Sequence, residues 1–164
     1  MPFTRPHLLD AARVRKKVDH NATGLARLRD ATMRFAKDIE DYVSGINQRL
    51  GKDAVLIMPV GMASVTLREM ILKDEVPGIK TQGELFRDNW GHAQAPLQIL
   101  SGYCHFAVIY RRSPVGLPVP HAFKLLKDLS DDDRAKLNTL PQQIAWDTVS
   151  HHLLTGVVKP VGDR

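Results

Sequence analysis

Two acid and histidine pairs and one serine are the residues of this sequence whose types and spacing could do chemistry. In "LFRDNWGHAQAP", residues 85–96, Asp88 precedes His92 by four positions in a loop that contains Gly91 and leads into an apolar run. A carboxylate beside an imidazole orients the ring, and the ring can then take a proton from a hydroxyl or from water, which is the chemistry of hydrolysis. Trp90 and Gly91 allow the two to approach tightly, although a loop that only covers a core would use them equally well. Asp147 and His151 repeat the spacing on a segment that reads as helix, where residues four apart share a face. A plain surface pair, contributing about 0.3 kcal/mol, explains them too. His152 beside them suggests a metal ligand, but no third ligand lies near at a telling spacing. Ser64, in "PVGMASVT", follows an apolar run and a glycine turn, the position at which nucleophile elbows expose a hydroxyl. Thr66 stands where the second glycine of G-x-S-x-G would be, so a serine near a helix start is the competing reading.

These residues need elements to hold them. In "NATGLARLRDATMRFAKDIEDYVSGINQRLG", Leu25, Leu28, Thr32, Phe35, Ile39, Tyr42, Ile46 and Leu50 recur at steps of three or four, which predicts one face of a long helix. Thr23 or Asn21 is expected to cap its start and Gly51 its end. The same stripe could seat a coiled-coil partner; packing against a sheet or a neighbouring helix is the simpler expectation. "AVLIM", Ala54 to Met58, is a short continuous apolar run, followed by a Pro59 to Gly61 turn and a helix over Met62 to Lys73. Such a run between helices predicts a buried parallel strand. The fold class is therefore expected to be α/β, helix-rich and with few strands.

"APLQILSGYCHFAVIYRR" is apolar nearly all round and predicts a buried helix. "SPVGLPVP", with three prolines, predicts an extended connector. Two helices are expected after "HAFKLLKDL": one capped by Ser130 with acids in its first turn, the other opening on Pro141 and closing at Gly156. The sequence contains no internal repeat.

Composition narrows the function classes. The chain has 164 residues, 43% of them apolar and 25% charged, enough for one domain with a real core. Residues 21–164 are expected to form that domain, after a basic arm over residues 1–20. The arm carries Arg5, Arg13, Arg15, Lys16 and Lys17 against Asp10 and Asp19, so +3 of the formal +5. It could touch nucleic acid, but no aromatic residues interleave with it to stack bases. The single Cys104 rules out an intramolecular disulfide and a cysteine-based zinc site, and it is expected in the core. No apolar stretch reaches the roughly 18 to 20 residues that span a bilayer, and the start lacks the apolar core of a secretory signal, so a cytoplasmic location is expected.

"AVLIMPVGMASVTLREMI", "VPGIKTQGELFRDNWGHAQAPLQILSGYCHFAVIYRRSPVGLP" and "IAWDTVSHH" together resemble the C-terminal half of SGNH/GDSL-type hydrolases. The resemblance implies a flavodoxin-like three-layer α/β fold, His92 as general base and Asp88 as its orienting acid. In that family two residues usually separate the acid from the histidine; here three do, and Asn89 has the family's spacing without its acidity. The family's Gly-Asp-Ser block is missing, and Gly45 and Asn47 of "SGINQ" fall inside the long helix. The sequence thus looks like a member without its nucleophile end, whose lone strand self-association could complete.

Three functions follow as expectations. One is hydrolysis of carboxylic esters or lactones, with His92 activating water or a serine such as Ser64; a divalent metal, not itself expected, would find Glu84 and Asp88 nearby. Another is an inactive remnant that acts as an assembly or interaction subunit, with a copy of itself or with a nucleophile-bearing chain. The third is nucleic-acid binding through the basic arm.

Overall fold

The computed structural model describes residues 19–88 and 90–157, and its elements are all helical. Five α-helices follow in order: α1 (Leu25–Leu50), α2 (Val60–Leu72), α3 (Ala95–Tyr110), the single turn α4 (His121–Lys124) and α5 (Asp131–Ser150). Short 3-10 turns at Gln82–Leu85 and Leu153–Thr155 complete the set. Most of the basic arm, residues 1–18, lies outside the described residues.

The expected α/β fold is overturned. Among the described residues there is no strand and no sheet; one isolated antiparallel bridge joins Phe86 to Ala93. Ala54 to Met58, read as a buried parallel strand, is an irregular strap. Its backbone groups find partners without a sheet. Asn47 Oδ1 accepts from the Ala54 and Val55 amides at 3.1 and 2.9 Å, Asn47 Nδ2 donates to the Val55 carbonyl at 2.9 Å, and the Ile57 amide donates to the Leu154 carbonyl at 2.8 Å. One buried asparagine side chain thus supplies what a neighbouring strand would have supplied. Gly156, at φ 68°, makes the matching approach possible, because a Cβ there would sit 3.3 Å from Leu56. With neither sheet nor three layers, a flavodoxin-like fold is excluded for these residues, and so is a lone strand awaiting a copy of itself.

The core forms where α2, α3 and α5 meet, with α3 and α5 the most extensively paired helices. Leu67 and Ile71 of α2, Leu100, Cys104 and Ala107 of α3, and Leu137, Ala145 and Val149 of α5 are buried together with Phe123 and Leu85. Burial of α3 is one-sided and not all round as expected: Leu100, Tyr103, Cys104, Ala107 and Val108 are buried, whereas Ile109 and Tyr110 are 61% and 63% exposed. Ser130 caps α5 as expected, accepting from the Asp133 amide at 3.1 Å. Pro141, however, does not open a separate helix: α5 runs through it without a break. The proline removes one backbone hydrogen bond, and burial of Leu137, Asn138, Pro141, Gln142, Ile144 and Ala145 on one side holds the helix together across the gap.

The proline-rich connector is tied to this core by polar groups. Tyr103 donates its hydroxyl to Asn138 Oδ1 at 2.6 Å, and Asn138 and Gln142 donate to the Leu117 carbonyl at 3.0 and 2.9 Å. Gln142 Oε1 accepts from the Gly116 amide at 3.1 Å. Every buried side-chain nitrogen and oxygen among the described residues has a partner, as a core this polar requires.

Helix α1 is different. Gly51, at φ 64°, closes it as expected, but neither Thr23 nor Asn21 caps its start: the N-cap is Gly24, and Asn21 Oδ1 accepts instead from the Gly83 amide at 2.6 Å. The expected apolar stripe is only half covered. Val43 and Asn47 are the buried residues of α1, whereas Phe35 and Tyr42 are each 67% exposed.

Candidate functional site

Two places bring together the residues singled out above. The first is the loop after the Gln82–Leu85 turn. The chain reverses there through the Phe86 and Ala93 bridge, with the Arg87 amide donating to the His92 carbonyl at 3.0 Å and the Gln94 amide to the Leu85 carbonyl at 2.8 Å. Gly91, at φ 83°, occupies the left-handed position this reversal needs. Asp88 organises the turn with one oxygen, Oδ1 accepting from the Trp90 and His92 amides at 2.9 and 3.2 Å. Its other oxygen meets His92 Nδ1 at 2.5 Å.

The expected acid and histidine pair is therefore formed. The hydrogen bond from His92, together with the two amides, holds the Asp88 carboxyl below the usual carboxylate range. With the ring proton on Nδ1, Nε2 is left with a free lone pair and no partner among the described residues. The setting is open: the Asp88 and His92 side chains are 34% and 58% exposed. Asn89 lies outside the described residues.

The loop is clamped from below. His20 stacks on Phe86 with centroids 4.2 Å apart, and its Nε2 lies 2.9 Å from the Asp88 carbonyl. Arg68, 7% exposed, holds its guanidinium 5.4 Å from the Phe86 centroid and donates to Gln82 Oε1 at 2.7 Å and to the His20 carbonyl at 3.3 Å. Burial lowers the Arg68 pKa.

No nucleophile joins this pair. Ser64 lies within α2 and donates its hydroxyl to the Val60 carbonyl one turn back at 2.7 Å, the ordinary bond of a helical serine. No hydrogen bond connects it with Asp88 or His92. Glu84, the carboxylate considered for metal binding, closes a capping box: Oε1 accepts from the Lys80 and Thr81 amides and from the Thr81 hydroxyl at 3.1, 2.8 and 2.8 Å. Among the described residues no group of three or more His, Cys, Asp or Glu side chains is placed to hold a metal.

The second place is a groove of about 1170 Å³ bounded by α1, α2, α5 and the Leu153–Thr155 turn. Its apolar lining comes from Met33 of α1, Met62, Val65 and Met70 of α2, and Leu140 and Ile144 of α5. It is open to solvent, with Met33 51% and Leu153 98% exposed. Three carboxylates line it, Glu40, Asp41 and Asp147, against one guanidinium, Arg29, which is itself ion-paired with Glu69.

Asp147, His151 and His152 all reach this groove, but not as expected. His151 Nδ1 bonds to the Asp147 backbone carbonyl at 2.7 Å and not to its carboxylate. His152, 7% exposed, accepts from the Leu154 amide on Nδ1 at 3.2 Å, so Nε2 carries the proton and donates it to Glu40 at 3.1 Å. Both ring nitrogens are thereby committed, and the ring works as a clasp between α1 and the end of α5. Sequence reasoning missed the groove and Glu40 as the clasp's acid. The one available signal was methionine: three of the five, Met33, Met62 and Met70, face this single surface.

Among the described residues no helix is long and apolar enough to cross a membrane. No protein-family model matches the chain, and neither a curated protein nor a solved structure is significantly similar to it.

Proposed function

We propose that this chain is an interaction subunit that takes a basic amphipathic helix of a partner along the groove between α1, α2 and α5. The observation that carries the reading is the pairing of an open, methionine-lined surface with a rim of three carboxylates against one guanidinium. Methionine side chains adapt to apolar surfaces of differing shape, and an amphipathic helix in a groove is a recurring mode of recognition. The rim supplies the sign: lysines or arginines flanking the apolar face of the incoming helix would meet Glu40, Asp41 and Asp147. Along α1 the lining runs from Arg29 to Ser44. That is about 22 Å, the length of a helix of about 15 residues. A groove this long and open suits a peptide better than an enclosed small molecule.

Titration of fluorescent helical peptides tests this. A peptide with a leucine face and lysine flanks should bind, more weakly as salt rises; the same peptide with glutamate flanks should not. Met33→Glu should weaken binding about tenfold or more. Equal affinity for the two peptides, or no effect of Met33→Glu, would refute the reading.

The free Nε2 of His92 favours a second reading, ester or lactone hydrolysis in which His92 takes a proton from an attacking water while Asp88 holds the ring. Full-chain protein should then hydrolyse short acyl esters faster than its His92→Ala and Asp88→Asn variants. Equal rates in all three would eliminate it.

A further inference from the structure

We propose that two copies of this chain pair through the outer flank of α1, antiparallel and with Phe35 near the two-fold axis. This flank carries the aromatic column that the groove lacks, and Asp41 borders both surfaces. At 100° per residue, Met33 and Glu40 lie on one side of the buried Val43 and Asn47 line, and Leu28, Phe35 and Tyr42 on the other. The latter three are spaced by seven, a repeat that keeps them in one column along a helix with a drift of only about 20° per heptad. Phe35 and Tyr42 are each 67% exposed, two aromatic side chains left largely bare among the described residues.

The charges beside this column say what covers it and in which direction. Arg27 and Arg34 flank it in the N-terminal half of α1, Asp38 and Asp41 in the C-terminal half, and all four are exposed. A parallel pair would set like charges side by side. An antiparallel pair centred on Phe35 sets Arg27 beside the second copy's Asp41 and Leu28 against its Tyr42, while Arg34, one residue from the axis, lies as near its own copy's Asp38 as the second copy's and gains from neither. Arg49 then falls beyond the overlap and opposes nothing. Asp41 also pairs with Lys37 in its own helix, an exposed ion pair too weak to withhold it. Ala31 lies along the line of contact and lets the two backbones approach. The surface is self-complementary, as an isologous two-fold interface requires.

Sedimentation equilibrium on the full chain, with disulfide trapping, tests this. The wild type should be a dimer whose dissociation constant rises by ~30-fold or more in Phe35→Glu, with unchanged helical circular dichroism, while the groove variant Met33→Glu stays dimeric. Under mild oxidation an equimolar mixture of Ala31→Cys and Asp38→Cys proteins should form mainly the mixed disulfide, because residues 31 and 38 oppose each other across the pair. Native Cys104 is buried and does not compete. A wild type that stays monomeric from micromolar to millimolar concentration, a dimer lost in Met33→Glu but not in Phe35→Glu, or homodisulfides in place of the mixed species would each overturn the proposal.

Discussion

Helices α1 and α5 are the two longest among the described residues, and they are used in opposite ways. Of the 20 residues of α5, Leu137, Asn138, Pro141, Gln142, Ile144, Ala145, Val149 and Ser150 are buried, and its polar members are hydrogen-bonded. Of the 26 residues of α1, only Val43 and Asn47 are buried. One helix is wrapped by the fold, and the other is laid along its edge with a groove on one flank and two bare aromatics on the other. The difference separates stability from recognition: substitutions in α5 and its partners should unfold the chain, whereas those on α1's flanks should change what it binds.

The largest expected effect is in the wrapped half. Phe123→Ala empties a fully buried aromatic site between α4 and α5 and should cost about 3 to 5 kcal/mol, measured by urea unfolding. Arg68→Ala leaves Gln82 buried without its donor and removes the clamp under Phe86; a loss of about 2 to 3 kcal/mol is expected in the same assay. Asn47→Ala strips the Ala54 and Val55 amides of their acceptor. It should cost about 1 to 3 kcal/mol and make those amides exchange hydrogen faster before the rest of the chain does. Phe35→Ser, on the bare flank, should shift monomer stability by less than about 0.5 kcal/mol. A large loss there would erase the contrast between the two helices.

Acidity sharpens the same contrast. Burial pushes the Cys104 thiol up to about 12 and raises the Tyr103 hydroxyl as well. Both groups are neutral when folded, so their contribution is fully present below their unfolded values, about 8.5 and 10. It is lost as pH rises beyond those values toward the folded ones. Alkaline titration should therefore destabilise the wrapped half, and Cys104 should resist thiol reagents in the native state. Asp88 behaves in the opposite sense. Its pKa is depressed, chiefly by the His92 hydrogen bond, so its contribution is present above the unfolded value near 4 and is lost as pH falls through the lower folded one. In a Trp146→Phe background, Trp90 fluorescence should report that loss as a local change, well before α5 unfolds.

Much of the helical architecture was legible because its signals are local. Gly51, Ser130 and the apolar run after Pro96 act through their immediate neighbours, and the Asp88 and His92 contact closes within a single turn of chain. The strand at Ala54 to Met58 was misread because a continuous apolar run does not reveal what will satisfy its backbone. Asn47 does so, from a helix that had already ended. Pro141 looked like a helix start because that is where proline is most often tolerated; the burial that lets α5 continue through it comes from distant residues. The groove belongs to three helices at once, and no window of sequence contains it. Ser64 reads as a nucleophile only from its place after an apolar run and a glycine; within α2 its hydroxyl has a partner one turn back and no hydrogen bond to Asp88 or His92.

The most direct measurement is a methyl spectrum of the methionine-labelled protein during titration with the leucine and lysine peptide. Met33, Met62 and Met70 line the groove, whereas Met58 lies outside it. The three groove methyls should shift together and saturate while the Met58 methyl stays in place. Uniform small shifts, or a shift at Met58 alone, would contradict it and leave the acid and histidine loop as the place to look for function.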